Sequence, residues 1–147
     1  MVQLKQLWVK NFRNYSSEQI KFHPGTNVIF GVNGQGKTNL LEAIQYLGSG
    51  TSFRGSPAEA LIQKNHDTAV VRAEITHDDR LLLVEAEISN LRQNSIAINK
   101  QKIREKLRSL NAIGTCNASS SGTIISSSDN TGYSLSFVKP VLLLFKS

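Results

Sequence analysis

The sequence has little of what stabilises secreted or membrane-spanning proteins. It has one cysteine, Cys116, in 147 residues, so no internal disulfide bond can form, and this usage fits a reducing compartment. The amino-terminal residues lack the apolar segment of a signal peptide. The longest late apolar run, Val141 to Phe145, is far too short to span a bilayer. We therefore predict a cytoplasmic protein with no membrane segment.

Acidic residues are also scarce. There are 11 Asp and Glu against 17 Lys and Arg, which gives a net charge of +6. Such a balance predicts an anionic partner such as nucleic acid, nucleotide or acidic membrane. Six of the basic residues and only one acid, Glu105, lie between Ser89 and Leu110. The segment Lys100 to Arg108 could contact DNA phosphates, although a solvated helix face is the interpretation we favour.

Apart from one glycine-rich motif described below, the sequence shows no arrangement of residues that is typical of a catalytic or metal site. No Ser-His-Asp or Cys-His arrangement is indicated, and Cys116 is predicted to be inert. His66-Asp67 and His77-Asp78-Asp79 have no further ligand at metal-binding spacing, so we predict turn residues there. Trp8 and Phe12 could stack on a base, but aromatic residues of a strand usually belong to the core, and we predict the core for both.

Local patterns predict an α/β domain over residues 1–110 and a different region after it. Gly48 is predicted to end the helix that is marked by Leu40, Leu41, Ile44 and Leu47. The predicted strands are Leu4 to Phe12, Glu18 to Phe22, a buried strand at Asn27 to Phe30 after the turn His23-Pro24-Gly25, a hairpin of Ala69 to Thr76 with Leu81 to Ser89, and a strand at Ser95 to Ile98. The first predicted helix is marked by Leu40, Leu41, Ile44 and Leu47, and a short helix is predicted at Ala58 to Ile62. The last predicted helix is marked by Ile103, Leu107 and Leu110 and carries Lys100, Arg104 and Arg108 on another face. Residues 111–147 contain nine serines and no clear periodicity, so we predict a largely disordered tail.

One motif carries chemistry. Residues 31–38 match G-x-x-x-x-G-K-[ST] at every fixed position: Gly31, Val32, Asn33, Gly34, Gln35, Gly36, Lys37 and Thr38. Glycines let the backbone turn tightly and point N–H groups at phosphate oxygens, and the following helix adds its amino-terminal donors. Lys37 would reach the β- and γ-phosphates, and Thr38 would hold Mg²⁺. The glycine order disfavours a dinucleotide-binding loop.

Several segments around this P-loop resemble the start of the RecF family. The resemblance covers about residues 2–110 and depends on the order and spacing of the segments. They are Asn11-Phe12-Arg13-Asn14-Tyr15, His23-Pro24-Gly25, the P-loop followed by Asn39-Leu40-Leu41-Glu42-Ala43-Ile44, and Gly50-Thr51-Ser52-Phe53-Arg54.

The resemblance implies the amino-terminal half of an ABC-type P-loop ATPase head, related to SMC heads. It implies binding of ATP with Mg²⁺, ATP-dependent homodimerisation in the full-length protein, binding to single-stranded or gapped DNA, and other recombination-mediator proteins as partners. The implied roles are recombinational repair, replication maintenance and the SOS response. It also places Arg13 and Asn14 near the nucleotide, and Arg54 at nucleotide or DNA.

The sequence departs from the family in two respects. It shows no Walker B Asp-Glu pair, signature motif or switch histidine, so we do not expect this chain to hydrolyse ATP alone. One reverse translation of Asn111 to Ala118, shifted by one base, encodes M-Q-L-V-R-A-M, which is similar to the family's continuation. We therefore hypothesise a frameshift near Leu110; the alternative is a natural serine-rich tail. The alternatives to a RecF-like protein are another P-loop NTPase, such as an SMC- or Rad50-like or transporter ATPase, and a nonfunctional remnant.

Overall fold

The protein is described by a computed structural model that covers residues 2–25, 27–32, 34–77, 79–102, 116–118, 124–126 and 142–146. The elements are β1 (Val2–Phe12), β2 (Tyr15–Lys21), β3 (Asn27–Gly31), α1 (Lys37–Ser49), α2 (Ala58–Leu61), β4 (Thr68–His77), β5 (Arg80–Ser89), β6 (Ser95–Ile98), β7 (Gln101–Lys102), β8 (Cys116–Ala118), β9 (Ile124–Ser126) and β10 (Leu142–Lys146). None of the helices in these ranges is long and apolar enough to cross a membrane.

A six-stranded antiparallel sheet forms the body of the domain, with strand order β2-β1-β4-β5-β6-β7. One face of this sheet packs on α1. Alternate residues of the strands point to that face, as the two-residue period of a strand requires. The buried residues include Val9, Ala69, Val71, Ala73, Ile75, Val84, Ala86 and Ile88 from the sheet, and Leu40, Leu41, Ala43, Ile44 and Leu47 from α1.

An irregularity in β1 sets which of its side chains reach the core. The pairing of β1 with β4 shifts between Leu4 and Gln6. Because of this shift, Leu4 and Leu7 are both buried although they stand three positions apart. Phe12 is fully buried, as predicted, whereas Trp8 is only partly buried and lines a groove on the outer face with Lys10 and Arg72. The prediction of a core position for Trp8 was therefore wrong.

The strand before the P-loop lies outside the large sheet. β3 pairs in parallel with β10, and the register places Asn27 opposite Leu142 and Gly31 opposite Lys146. The sequence predicted a buried strand, but Phe30 is 81% exposed and Val28 is 46% exposed. That prediction was wrong because, within the described residues, no layer covers this face of β3.

Several other elements begin or end at residues that differ from the prediction, and two of these differences are larger than a shift of a strand end. α1 continues through the buried Gly48, and Gly50 ends it in a left-handed conformation (φ 67°), with its N–H donating to the Tyr46 carbonyl at 2.8 Å. Lys100, predicted on a helix, lies with Asn99 in the turn between β6 and β7, where both residues have positive φ. Residues 103–110, the rest of that predicted helix, lie outside the described ranges, as does most of the tail.

Candidate functional site

The P-loop lies between the carboxyl end of β3 and the first turn of α1. Gly34 and Gly36 adopt left-handed φ values of 85° and 99°, and Gly36 is the residue that caps α1. A β-carbon at Gly36 would lie 2.5 Å from the Nδ2 atom and 2.6 Å from the Oδ1 atom of Asn14. The backbone angle at this position therefore favours glycine, and a β-carbon there would have to displace the end of the Asn14 side chain.

The start of α1 has the electrostatics of an anion site. The first turn of this 13-residue helix contains no acidic residue, and no side chain caps its amino terminus. The positive end of the helix dipole and the unpaired N–H groups are consequently free of a competing carboxylate. Thr38 lies partly buried in this first turn, where its hydroxyl oxygen could coordinate a metal ion.

Lys37 lies across the mouth of the loop. Its Nζ atom donates to the carbonyl oxygen of Gly31 and, at 3.3 Å, to that of Val32. The ammonium group is therefore held against the first two residues of the motif, where a phosphate oxygen could replace a carbonyl as its acceptor. Seven of the eight predicted P-loop residues lie between β3 and the first turn of α1, and Asn33 lies outside the described residues.

A buried ion pair stands behind the loop. Glu42 of α1 is fully buried and accepts two hydrogen bonds from Arg13, each 2.9 Å long, from the Nε and Nη2 atoms. Ser52 also donates to this carboxylate, and Arg54 lies 3.6 Å from it. Burial raises the pKa of Glu42, but the hydrogen bonds from Arg13 and Ser52 and the nearby positive charges outweigh it, so that the pKa is lowered.

The structure separates the two residues that the resemblance placed near the nucleotide. The guanidinium of Arg13 is engaged with Glu42 and with the Ser56 hydroxyl at 2.7 Å. Asn14 instead contacts the P-loop itself, where its Nδ2 atom donates to the Gln35 carbonyl at 3.2 Å. Their assignment to the nucleotide site stays a prediction. Glu42 was not predicted as a site residue from the sequence, because its partner Arg13 stands 29 positions earlier.

A second hydrogen bond ties the β1–β2 hairpin to the loop. The Tyr15 hydroxyl donates to the Gly36 carbonyl at 3.0 Å. Burial, and secondarily the charge of Glu18, raise the pKa of Tyr15 above its ordinary value. The phenol therefore stays protonated and able to donate at neutral pH.

The strand that pairs with β3 is β10, and the residues at its carboxyl end determine whether an acid lies near the P-loop to help bind a metal ion. Because β10 and β3 are parallel, their carboxyl ends reach the same edge of the two-stranded sheet, and Lys146 pairs with Gly31 there. In P-loop NTPases a Walker B aspartate helps to hold Mg²⁺, but residues 145–147 are Phe, Lys and Ser. Among the residues that the structure describes, no three His, Cys, Asp or Glu side chains form a metal-binding group.

Comparison with known proteins identifies the family. The RecF/RecN/SMC N terminal domain matches residues 3–116. The chain belongs to this family. It is 38% identical over 105 residues to the DNA replication and repair protein RecF of Leifsonia xyli subsp. xyli, and this match covers 71% of the chain and 27% of that protein. The family prediction from the sequence is thus confirmed, and the chain spans about three tenths of the length of its RecF relatives.

Solved structures give the same fold. The recombination mediator protein RecF-ATP in the RecFOR pathway superposes with a TM-score of 0.69 at 34% identity, over 74% of this chain and 30% of that one. The SMC head domain from Thermotoga maritima superposes with a TM-score of 0.60 over 74% of this chain and 40% of that one, and at 22% identity it supports the fold alone. The chain is thus the amino-terminal portion of an ABC-type P-loop head, as the sequence predicted.

Proposed function

We propose that this chain binds ATP through residues 31–38, as the amino-terminal portion of a RecF-like protein of DNA repair and replication. The observation that carries the proposal is the position of the Lys37 ammonium at the mouth of a glycine loop that opens onto an uncompensated helix amino terminus. The similarity to a RecF solved with ATP supports the nucleotide's identity. Thr38 would contribute its hydroxyl to Mg²⁺ bound with the phosphates.

The wider role follows from the RecF relatives. We infer ATP-dependent binding to single-stranded or gapped DNA, homodimerisation around ATP in the full-length protein, and work with other recombination mediators in cytoplasmic repair and the SOS response. The net charge of +6 supports a polyanionic partner. The RecF relatives are DNA replication and repair proteins by name. A RecF of known structure is named as a recombination mediator protein of the RecFOR pathway.

ATP hydrolysis by this chain alone is expected to be negligible. The strand next to β3 brings Lys146, and no acid, to the register position opposite Gly31. Without a Walker B acid, the metal lacks one of its protein contacts at the phosphates. Sustained phosphate release that depends on Lys37 would contradict this expectation.

The nucleotide proposal is tested by titrating a fluorescent ATP analogue with Mg²⁺ against the wild-type chain and Lys37→Ala. Removing a charge-assisted contact worth about 1.5–3 kcal/mol should weaken binding about ten- to a hundredfold. Lys10→Ala removes an equal charge from an exposed position on the outer face of the sheet and is the matched control. Equal affinities of wild type and Lys37→Ala would contradict the proposal, and a folded chain without any binding would favour a nonfunctional remnant.

A further inference from the structure

Strand β2 is a free edge of the six-stranded sheet. It stands last in the strand order and, within the described residues, pairs with β1 alone. Its register with β1 has no shift, it contains no proline, and five of its seven residues are exposed. The backbone N–H and C=O groups along such an edge can pair with a strand of another molecule, and most proteins protect their edges for this reason.

The pairing with β1 shows which backbone groups of β2 are free. The Phe22 N–H donates to the carbonyl of Lys5, the residue that the register places opposite it, at 2.9 Å. Residues of an antiparallel pair alternate between bonded and non-bonded positions. Counting back from Phe22, every second residue of β2 therefore bonds to β1. The residues between them point their N–H and C=O groups to the free edge: Ser17, Gln19 and Lys21.

The side chains beside this edge are basic on the outer face of the sheet. Ser17 lies opposite Lys10 and Gln19 lies opposite Trp8, so these side chains share one face and border a groove of about 620 Å³. Lys21 stands two residues beyond Gln19 and belongs to the same face. In the described part of the chain the ion pairs are made by arginines, and neither Lys10 nor Lys21 has an acidic partner.

We propose that the β2 edge binds an extended segment of a partner protein, which adds as a further strand and carries acidic side chains on the face of Lys10 and Lys21. The side chain of Ser17 is short, so that an acid placed opposite it can reach Lys10 on the next strand. An acid four residues along the segment then lies opposite Lys21, because residues of one face repeat every two positions. Backbone pairing would provide affinity, and the two acids specificity.

The other face of the edge determines the remaining positions of the segment. Glu18 also borders the groove. It lies opposite the buried Val9, however, and therefore belongs to the face of β2 that is turned from Lys10. The residues of the segment that alternate with its acids would come beside Glu18, so they should be neutral.

Two other occupants fit this edge less well. A second copy of β2 would bring Lys21 and no acid to the outer face, and would place like charges together. A phosphodiester backbone offers acceptors but no N–H donors, so nucleic acid would leave the edge carbonyls without partners. An acidic strand satisfies both the backbone groups and the charges.

Fluorescence anisotropy of a labelled peptide tests the charge requirement. The probe is a fluorescein-labelled nine-residue peptide of alternating glutamate and valine, and replacing glutamate with lysine should weaken binding about tenfold. Lys10→Ala should weaken binding of the glutamate peptide about two- to fivefold, the range of an exposed ion pair. Arg92→Ala removes a surface charge from the β5–β6 turn and should have no effect. Equal binding of both peptides, or equal losses in the two variants, would overturn an acidic partner.

Gln19→Pro tests the addition of a strand. It removes an N–H that points to the free edge, where proline is tolerated. Binding of the glutamate peptide should fall about tenfold with little change in Tm, whereas Gln19→Ala keeps the N–H and should bind as the wild type does. The same peptide with every amide N-methylated examines this point on the unaltered chain. Binding at full strength by this peptide, or by a folded Gln19→Pro variant, would overturn strand addition.

Amide hydrogen exchange gives a signature that mere attraction of charges does not produce. The N–H groups of Ser17, Gln19 and Lys21 should exchange rapidly in the free chain and slowly with saturating peptide, whereas those of Glu18 and Ile20 should be protected in both. Unchanged exchange at the three edge residues would overturn the proposal. So would displacement of the peptide by oligothymidylate, or a wild-type dimer in sedimentation that Gln19→Pro dissociates, since these results would assign the edge to nucleic acid or to a second copy.

Discussion

Replacing Glu42 with glutamine should destabilise the domain far more than its size suggests. The substitution keeps the shape of the side chain but leaves Arg13 and Arg54 without their shared negative partner. Removing one member of a buried ion pair costs about 3–5 kcal/mol. Arg13 and Arg54 keep 19% and 38% side-chain exposure, so water partly solvates them. We therefore expect a loss of about 2–3 kcal/mol in the free energy of unfolding.

Thermal unfolding followed by circular dichroism measures this loss. A change of about 2–3 kcal/mol corresponds to about 6–13 °C in Tm for a domain of this size. Glu85→Gln is the matched control, because the Arg72–Glu85 pair is exposed by 46% and 34% and should contribute less than about 1 kcal/mol. Equal effects of the two substitutions would refute the account of Glu42 as the charge that joins the hairpin, α1 and the following loop.

The pH dependence of the same variants gives a second test. The pKa of Glu42 is lower in the folded protein than its ordinary value of 4.5. The carboxylate therefore contributes stability above that value, and this contribution is lost as pH falls through the lower folded pKa. The difference in Tm between wild type and Glu42→Gln should shrink below about pH 4.5. A constant difference down to pH 3 would contradict the assignment.

Three other predictions follow from the structure. Gly36→Ala should weaken nucleotide binding, because alanine is strained at a φ of 99° and its β-carbon would displace the Asn14 amide from the P-loop. Gly55→Ala, at a φ of 68° in open space, should cost about 1–2 kcal/mol in chemical unfolding and leave binding unchanged. Equal binding by the two variants would contradict this prediction. Phe30→Ser should reduce self-association in light scattering without lowering Tm, since Phe30 is 81% exposed; a drop in Tm would show burial. If a frameshift lies near Leu110, sequencing of the coding DNA should reveal a shifted frame that continues into a Walker B motif, and no such frame would make the tail native.

Local features of the fold could be predicted from the sequence because their causes are local. The P-loop was located by its glycines and by the apolar strand and helix beside it, and β6 has its predicted bounds. The end of α1 was placed two residues early, at Gly48, because both glycines could stop a helix and only packing decides between them. The buried positions of β1 depend on the register shift near Leu4, which no alternation pattern shows.

The polar part of the candidate site could not be predicted for a different reason. Glu42 pairs with Arg13 across 29 positions, and Asn39 reaches Asn14 across 25, so only the tertiary fold brings these residues together. Likewise, the exposure of Phe30 depends on which layer covers β3, whereas its apolar composition alone predicted burial. The family resemblance pointed to Arg13 and Asn14 of the β1–β2 hairpin. The structure shows that Arg13 donates to Glu42 and that Asn14 donates to the Gln35 carbonyl.

The most direct test of nucleotide binding at residues 31–38 is an amide NMR titration of the chain with ATP and Mg²⁺. The account predicts the largest shift changes at Gly34, Gly36 and Lys37, whose N–H groups lie in the loop and the first turn of α1. The Gly55 amide, in the loop after α1, should barely move. Shifts concentrated elsewhere, such as around Lys100, or no saturable shift in a folded chain, would contradict the central claim.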